Sequence, residues 1–412
     1  VRHQPNLRRS FLFLQGPHGV FFPKLGEELR AAGHRVHRIN FNGGDRATWP
    51  GASNFHGRNA TWEDFARQFL KRESITDVVL FGDCRPKHVI AIKVAKALGV
   101  RVHVFEEGYI RPDWVTLERD GVNGHSTLPR DPDWYLEEAK SLPPVPIHPP
   151  IRGYPGVRGW GAFFYYAEAV LHYWRFPFHQ THRPRDPVWE GINFLVRFSM
   201  KKREIEHADR AAKRLLGADY VLFPLQLNSD YQIRVHSPFA NLHDAIATII
   251  ESFARHAPTT LRLAIKEHPL DGGLTEWARV IAEQARRFGV SDRVDFIQHG
   301  DVVTLVRNSR GLVTVNSTTG TFALAENVPV VVLGDAVYDI PGITHQAGLD
   351  SFWTDPEPVI PEIYDAFYRV LVDRCLIDGA FLSDEGVERL LAGAVRSLTR
   401  DDLPVAVLPA II

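Results

Sequence analysis

The chain is poor in cysteine and methionine, carries no surplus of either charge, and contains no long apolar run. Cys84 and Cys375 are too few and too far apart for a disulfide framework or a cysteine-ligated zinc site, so a reducing cytoplasm is the expected compartment. Its 48 Lys and Arg against 49 Asp and Glu leave a net charge of −1, which removes any global argument for nucleic acid. A charge-driven partner must meet a local patch. No stretch approaches the roughly 18 apolar residues of a membrane span, and the first residues do not read as a secretory leader. Neither a repeat nor a low-complexity tract is present, which excludes solenoids and tethers.

What is there is ordinary globular composition, 44% hydrophobic and 24% charged over 412 residues, enough for two domains. Residues 11–140 repeat one pattern, an apolar run, a glycine or polar break, then a segment at helical period. Phe11–Leu14 leads through Gln15-Gly16-Pro17-His18-Gly19 into Phe22, Leu25, Leu29 and Ala32. His34–Phe41, Asp77–Phe81 and Val100–Phe105 read as further strands, with Lys87–Leu98 a helix. The pattern restarts at Tyr220–Phe223 and continues through Leu261–Lys266, Val294–Ile297, Gly311–Val315 and Pro329–Leu333. Residues 357–400 look helical, with no clear strand. Such alternation predicts an α/β protein with parallel sheets covered on both faces. The expected organisation is two Rossmann-like domains facing across a cleft, at 1–140 and 206–345, with a helical tail at 346–412 that packs back on the first.

Residues 141–205 interrupt this order. A proline-rich stretch precedes Trp160, Phe163, Phe164, Tyr165, Tyr166, Tyr173, Trp174, Phe176 and Phe178, set among Arg152, Arg158, Arg175, Arg183 and Arg185. From 151 to 203 there are nine basic and three acidic residues. Two readings stay open: an interface for a ligand with an apolar tail and an anionic head, or a helical insertion whose aromatics fill the core between domains.

Candidate chemistry gathers at strand ends, where open α/β sheets hold their ligands. Val102–Phe105 delivers Glu106 and Glu107, one of which points into the crevice; beside apolar walls its pKa would rise as a general acid requires, while an ion pair with Arg111 is the plainer reading. Asp230, after Gln226-Leu227-Asn228-Ser229, is either a nucleophile or a helix cap. Lys266 and His268, two apart on a strand before Pro269, suit a phosphate, with a structural histidine as the other reading. Asn316-Ser317-Thr318-Thr319-Gly320 offers hydroxyls and backbone N–H groups at a helix start, an anion site or simple capping.

Taken in order, these motifs are familiar. Glu106-Glu107-Gly108-Tyr109-Ile110-Arg111-Pro112-Asp113-Trp114 and Gly121-Val122-Asn123-Gly124-His125-Ser126 resemble the bacterial capsule polysaccharide biosynthesis family of KpsS- and KpsC-type proteins. The Gln226–Asp230, Lys266–Pro269 and Ser317–Gly320 stretches follow in that family's order, so the likeness spans about residues 11–345. Arg175-Phe176-Pro177-Phe178 and His182-Arg183-Pro184 are more similar to the KpsS type.

The resemblance implies a GT-B-like retaining β-Kdo transferase that takes Kdo from CMP-Kdo and places it on phosphatidylglycerol or its lyso form at the cytoplasmic face of the inner membrane. It implies Asp230 as nucleophile and Glu106 as acid/base, with Glu107 as the substitute if the strand register is shifted by one. Gln226, Lys266, His268, Pro269 and Asn316 through Gly320 would hold the donor, and Gly16, His18, Gly19, Arg111, Arg175 and Arg183 would lie on the acceptor side. Thr321-Phe322 stands where KpsC-type members are expected to carry an apolar residue and then Glu, so Glu326 is the replacement candidate for binding ribose. No Asp-X-Asp pair sits beside a plausible nucleotide site, which predicts no metal and no other cofactor. A KpsC-type transferase and a capsule exporter are the implied partners. The alternatives are another sugar-nucleotide enzyme, such as a UDP-sugar transferase or epimerase, and a noncatalytic capsule assembly or export partner.

Overall fold

The computed structural model describes residues 8–151, 157–180, 215, 217–227, 231–269, 271, 276–298 and 300–400. Its strands in chain order are β1 (Ser10–Phe13), β2 (Arg35–Asn40), β3 (Ser53–Asn54), β4 (Asp77–Phe81), β5 (Arg101–Glu107) and β6 (Trp114–Arg119), then β7 (Tyr220–Pro224), β8 (Arg262–Lys266), β9 (Val294–Ile297), β10 (Gly311–Thr314), β11 (Val330–Val332) and β12 (Leu376–Asp378). They form two sheets, ordered β12-β6-β5-β4-β1-β2-β3 and β11-β10-β7-β8-β9. The chain is therefore an α/β protein with two Rossmann-like sheets.

Two compact units divide the chain, one within 1–128, 144–182 and 371–412 and the other within 129–143 and 183–370. These limits differ from the sequence boundaries at 140, 205 and 345. Residues 129–143 join the second unit because Tyr135 of the Pro132–Ala139 helix meets Phe367 at 5.4 Å. Residues 349–353 also belong there: Phe352 and Trp353 are core residues, and the Trp353 indole donates to Ser252 Oγ at 2.8 Å.

In the first unit, β1 to β5 pair in parallel in the order 3-2-1-4-5 of a doubly wound, Rossmann-like sheet. Two antiparallel additions, β6 on β5 and β12 on β6, extend it. Both escape the sequence reading. Trp114–Arg119 mixes apolar residues with Thr116 and ends in the charged pair Glu118-Arg119, with no clear period, and Leu376–Asp378 is too short to announce itself between two helices. The core lies where Phe11, Phe13 and Phe105 face Phe21, Phe22, Leu25 and Leu29 of one helix and Leu390, Ala394 and Leu398 of the Asp384–Thr399 helix. At the opposite strand ends, buried Asp77 accepts from Arg9, Arg101 and His103.

The second sheet is wholly parallel and has the same 3-2-1-4-5 order. Its strands are almost entirely buried, as parallel strands under helices must be. Ile246, Ile249, Ile250 and Phe253 of the Leu242–His256 helix cover it, and Asn241 caps that helix by accepting from the backbone N–H of His243 and Asp244. No helix among the described residues is long and apolar enough to cross a membrane.

Candidate functional site

In a sheet of this order the crevice opens at the carboxyl ends of strands one and four, where the order reverses. In the second unit these are β7 and β10. Gln226, just past β7, is buried and donates from Nε2 to Asn316 Oδ1 at 2.9 Å, while its Oε1 accepts the Asn316 N–H at 3.3 Å. Asn316 Nδ2 donates in turn to the His236 carbonyl at 3.0 Å. Each amide satisfies the other, and together they fix the distance between the two strand ends.

The hydroxyl loop is built on the same edge. Ser317 Oγ accepts the Thr319 N–H at 3.2 Å, and its own N–H goes to Thr314 Oγ1 at 3.0 Å. Thr318 occupies the cap position of the Thr319–Ala325 helix without a side-chain capping bond, so capping accounts for one hydroxyl and leaves the rest. Tyr338 donates to the Ser317 carbonyl at 2.5 Å, and a Cβ at Gly320 would stand 2.5 Å from that phenol oxygen. Burial raises the Tyr338 pKa, which keeps the phenol protonated as a donor.

At the end of β8, Lys266 is buried and its ammonium donates to the Glu267 carbonyl at 2.8 Å and the Gln298 carbonyl at 3.2 Å. His268 lies beyond the strand and is half-buried; Pro269 is exposed. Glu267, which the motif reading passed over, is 3% exposed at the same strand end. Glu326 is not brought to this edge. It follows the last turn of the Thr319–Ala325 helix, about 10 Å along the axis from the hydroxyls, and pairs with Arg307 at 2.7 Å. The Arg307 hydrogen bond lowers its pKa. Asp230 and Arg183 lie outside the described residues.

In the first unit, strands one and four are β1 and β4. Glu106 pairs with Thr116 across β5 and β6, and its Oε1 accepts the Glu107 N–H at 3.0 Å. Its Oε2 would lie 3.4 Å from a Cβ on Gly82, whose φ of +71° suits glycine in the loop after β4. Arg85 of that loop stacks on Phe81 at 5.4 Å, and burial lowers its pKa against the opposing pull of Tyr165, Glu106 and Asp45. Glu106 thus faces a cation; Glu107, one residue on, projects from the other face of the strand.

The Gly121–Ser126 motif closes over the same edge. Asp83, 4% exposed, accepts from the Val122 N–H and from His125 Nδ1, both at 3.0 Å. Cys84 Sγ donates to its other oxygen at 3.2 Å. The ligand atoms of Asp83, Cys84 and His125 lie within 4.8 Å of one another, and these hydrogen bonds account for their approach. Glu118 accepts from Ser126 Oγ at 2.5 Å and from the Tyr109 phenol, which itself accepts the Asn123 N–H at 2.6 Å. Burial pushes the Glu118 carboxyl up to about 7 in spite of both hydroxyl donors. Sequence spacing could not assemble this network, because Asp83 and His125 are 42 residues apart.

The acceptor-side candidates fall around β1 and the aromatic segment. A Cβ on Gly16 would meet the Phe22 ring at 2.5 Å, and Gly19 has φ +106°. His18 meets Tyr165 edge to face at 4.7 Å. Arg111 precedes a cis proline and donates from Nε to the Gly108 carbonyl at 3.4 Å. Arg175 lies over the Trp174 ring at 4.7 Å.

A profile of the family described as "Capsule polysaccharide biosynthesis protein" matches residues 76–382. The chain is 34% identical over 390 residues to the capsule polysaccharide modification protein LipB of Neisseria meningitidis serogroup A, covering 91% of this chain and 92% of LipB. It is 36% identical over 357 residues to the capsule polysaccharide export protein KpsS of Escherichia coli, covering 84% of this chain and 90% of KpsS. Among solved structures, Thermosulfurimonas dismutans KpsC, a beta Kdo 2,7 transferase, aligns over 95% of this chain and 100% of its own, at 12% identity and a TM-score of 0.46.

Proposed function

The chain belongs to the capsule polysaccharide biosynthesis family, and from that premise we propose that it is a retaining transferase moving Kdo from CMP-Kdo to a phosphatidylglycerol-type lipid at the inner face of the inner membrane. The observation that carries this reading is the set of polar groups at the edge of the second sheet. Buried Lys266 at the end of β8 and the hydroxyls of Ser317, Thr318 and Thr319 after β10 flank the end of β7, from which the chain runs on to Asp230. Cations and helix-start N–H groups suit the phosphate of a departing cytidine monophosphate. Lys266 and His268 supply that charge, so no metal is required.

The Asp230 carboxylate attacks the anomeric carbon as the bond to CMP breaks, and the resulting glycosyl ester keeps the sugar on the protein. The acceptor hydroxyl then displaces Asp230 while Glu106 takes its proton, and two inversions preserve configuration. Gln226 and Asn316 hold the strand ends at the separation the donor needs. Glu106 is preferred to Glu107 because Arg85 and the Gly82 turn face it.

The test is transfer from CMP-Kdo to a short-chain phosphatidylglycerol by the full chain. Asp230→Ala should abolish product, Glu106→Gln should lower kcat by about 10²–10⁴, and Glu107→Gln should change it by less than about tenfold. Unchanged turnover in Asp230→Ala would remove the covalent mechanism. A larger thermal shift with CMP than with UDP or GDP is the accompanying expectation, and equal shifts would count against a cytidine donor.

A further inference from the structure

The Val157–Leu171 helix is turned the opposite way from an ordinary surface helix. Toward the first unit's sheet it presents Tyr165, whose hydroxyl accepts from Gln15 Nε2 at 2.6 Å and Asn42 Nδ2 at 2.9 Å and donates to Asp45 at 2.9 Å. Gly43 and Gly44 receive it. A Cβ on either would stand 2.2 Å from the Glu168 carbonyl oxygen or 2.4 Å from that of Tyr165, so the helix backbone rests directly on them. Toward solvent it presents Phe163, Phe164, Val170 and Leu171, and the turn Tyr173–Arg175 adds Tyr173 and Trp174, all six 59–68% exposed.

Positions 163, 164, 167, 170, 171 and 174 recur at helical spacing and are all exposed, which makes one stripe about 17 Å long. With Phe178, the segment from 163 to 178 holds seven of the thirteen exposed large apolar side chains among the described residues. Cations gather at one end of it. Arg175 lies over Trp174 at 4.7 Å, and Arg58 over Phe178 at 5.0 Å. An apolar stripe that ends in Trp, Tyr and stacked guanidinium groups is matched to the acyl boundary along its length and to anionic headgroups at its end. A convex ridge of this kind needs no preformed groove in what it meets.

We infer that this stripe is the surface on which the protein sits against an anionic lipid bilayer, with the helix lying in the plane of the interface. The inference rests on the proposed function only in that the acceptor there is a lipid, and its test needs neither donor nor turnover. The full chain is sedimented with vesicles of phosphatidylglycerol mixed into phosphatidylethanolamine, and with vesicles of phosphatidylcholine alone. Binding to the anionic vesicles is expected, at least about tenfold weaker in Phe164→Ser/Leu171→Ser/Trp174→Ser and unchanged in Val89→Ser, which alters an exposed apolar side chain elsewhere on the same unit. Both variants should keep the wild-type Tm, since the altered side chains are exposed.

Equal binding by the triple variant and the wild type would overturn the assignment. So would a wild type that ignores vesicles and instead forms a dimer that the triple variant dissociates, since the stripe would then be an interface between copies. A wild type that ignores vesicles and stays monomeric overturns it as well. The CMP thermal shift, read on the same samples, reports on the donor site alone. Vesicle binding without a CMP response would leave the stripe standing and count against the transferase reading.

Discussion

Two buried carboxylates in one sheet respond to pH in opposite directions. Burial alone would raise the pKa of Asp77, but bonds from His103 and Arg9 overcome it and hold the group well below the usual carboxylate range. Its stabilising contribution is therefore present above the ordinary carboxylate pKa and lost as pH falls toward the folded value. Glu118 is the reverse case. Its carboxyl rises from 4.5 to about 7, so between those values the folded state holds a proton that the unfolded state has released. Stability should fall as pH rises across that window and level off above it, by about 3 kcal/mol from this one group. Glu118→Gln mimics the protonated acid and should flatten that part of the curve. Urea titrations from pH 4.5 to 7.5 measure it, and an unchanged slope would mean that the latch on Gly121–Ser126 is not a titrating one.

Among the elements, the sequence reading reached furthest where strands are fully buried. Phe11–Leu14, Asp77–Phe81, Leu261–Lys266 and Val294–Ile297 are short, mainly apolar runs whose side chains are mostly buried, and they stand within a residue of the observed strands. It failed at β6 and β12, which lie at one side of the sheet and pair antiparallel, where neighbours distant in sequence decide the matter. The strand-end motifs were legible for the same reason as the strands: a polar or charged residue following an apolar run marks a carboxyl edge. Asp83 and Arg85 were not, since nothing local separates Asp83 from an ordinary helix cap. The glycine pair under the aromatic helix was equally silent. Its importance is testable: Gly44→Ala would press a methyl group into the Tyr165 carbonyl, a backbone atom with nowhere to go. A loss of about 1–3 kcal/mol is expected. Faster hydrogen exchange confined to 157–178 would identify the helix as the displaced part, and unaltered exchange there would contradict the seating described above.

For the molecule as a whole, the chain's path matters as much as its sheets. Residues 371–400 return to the first unit after the second is complete. There β12 adds to β6, while Val387, Leu390, Ala394 and Leu398 cover the helix Phe21–Ala31 and the strands beneath it. Arg389 binds Asp378 and also reaches the Pro149 carbonyl at 3.1 Å. The first unit is thus not finished until the last helix is made. Truncation after residue 370 should leave it unable to bury Phe21, Phe22 and Phe105, and limited proteolysis should then digest 8–128 while sparing a core from the second unit. A resistant first unit in the truncated chain would show that the returning segment is only an accessory.

The manner in which the aromatic helix is fastened has a wider meaning for how this surface changes. A helix ordinarily keeps its grip through greasy side chains, so its outer residues are constrained to be polar. Here a phenol and two glycines supply the grip. Outward positions are thereby released from any duty to folding, and their composition can drift toward whatever environment the protein inhabits while the scaffold beneath stays as it is.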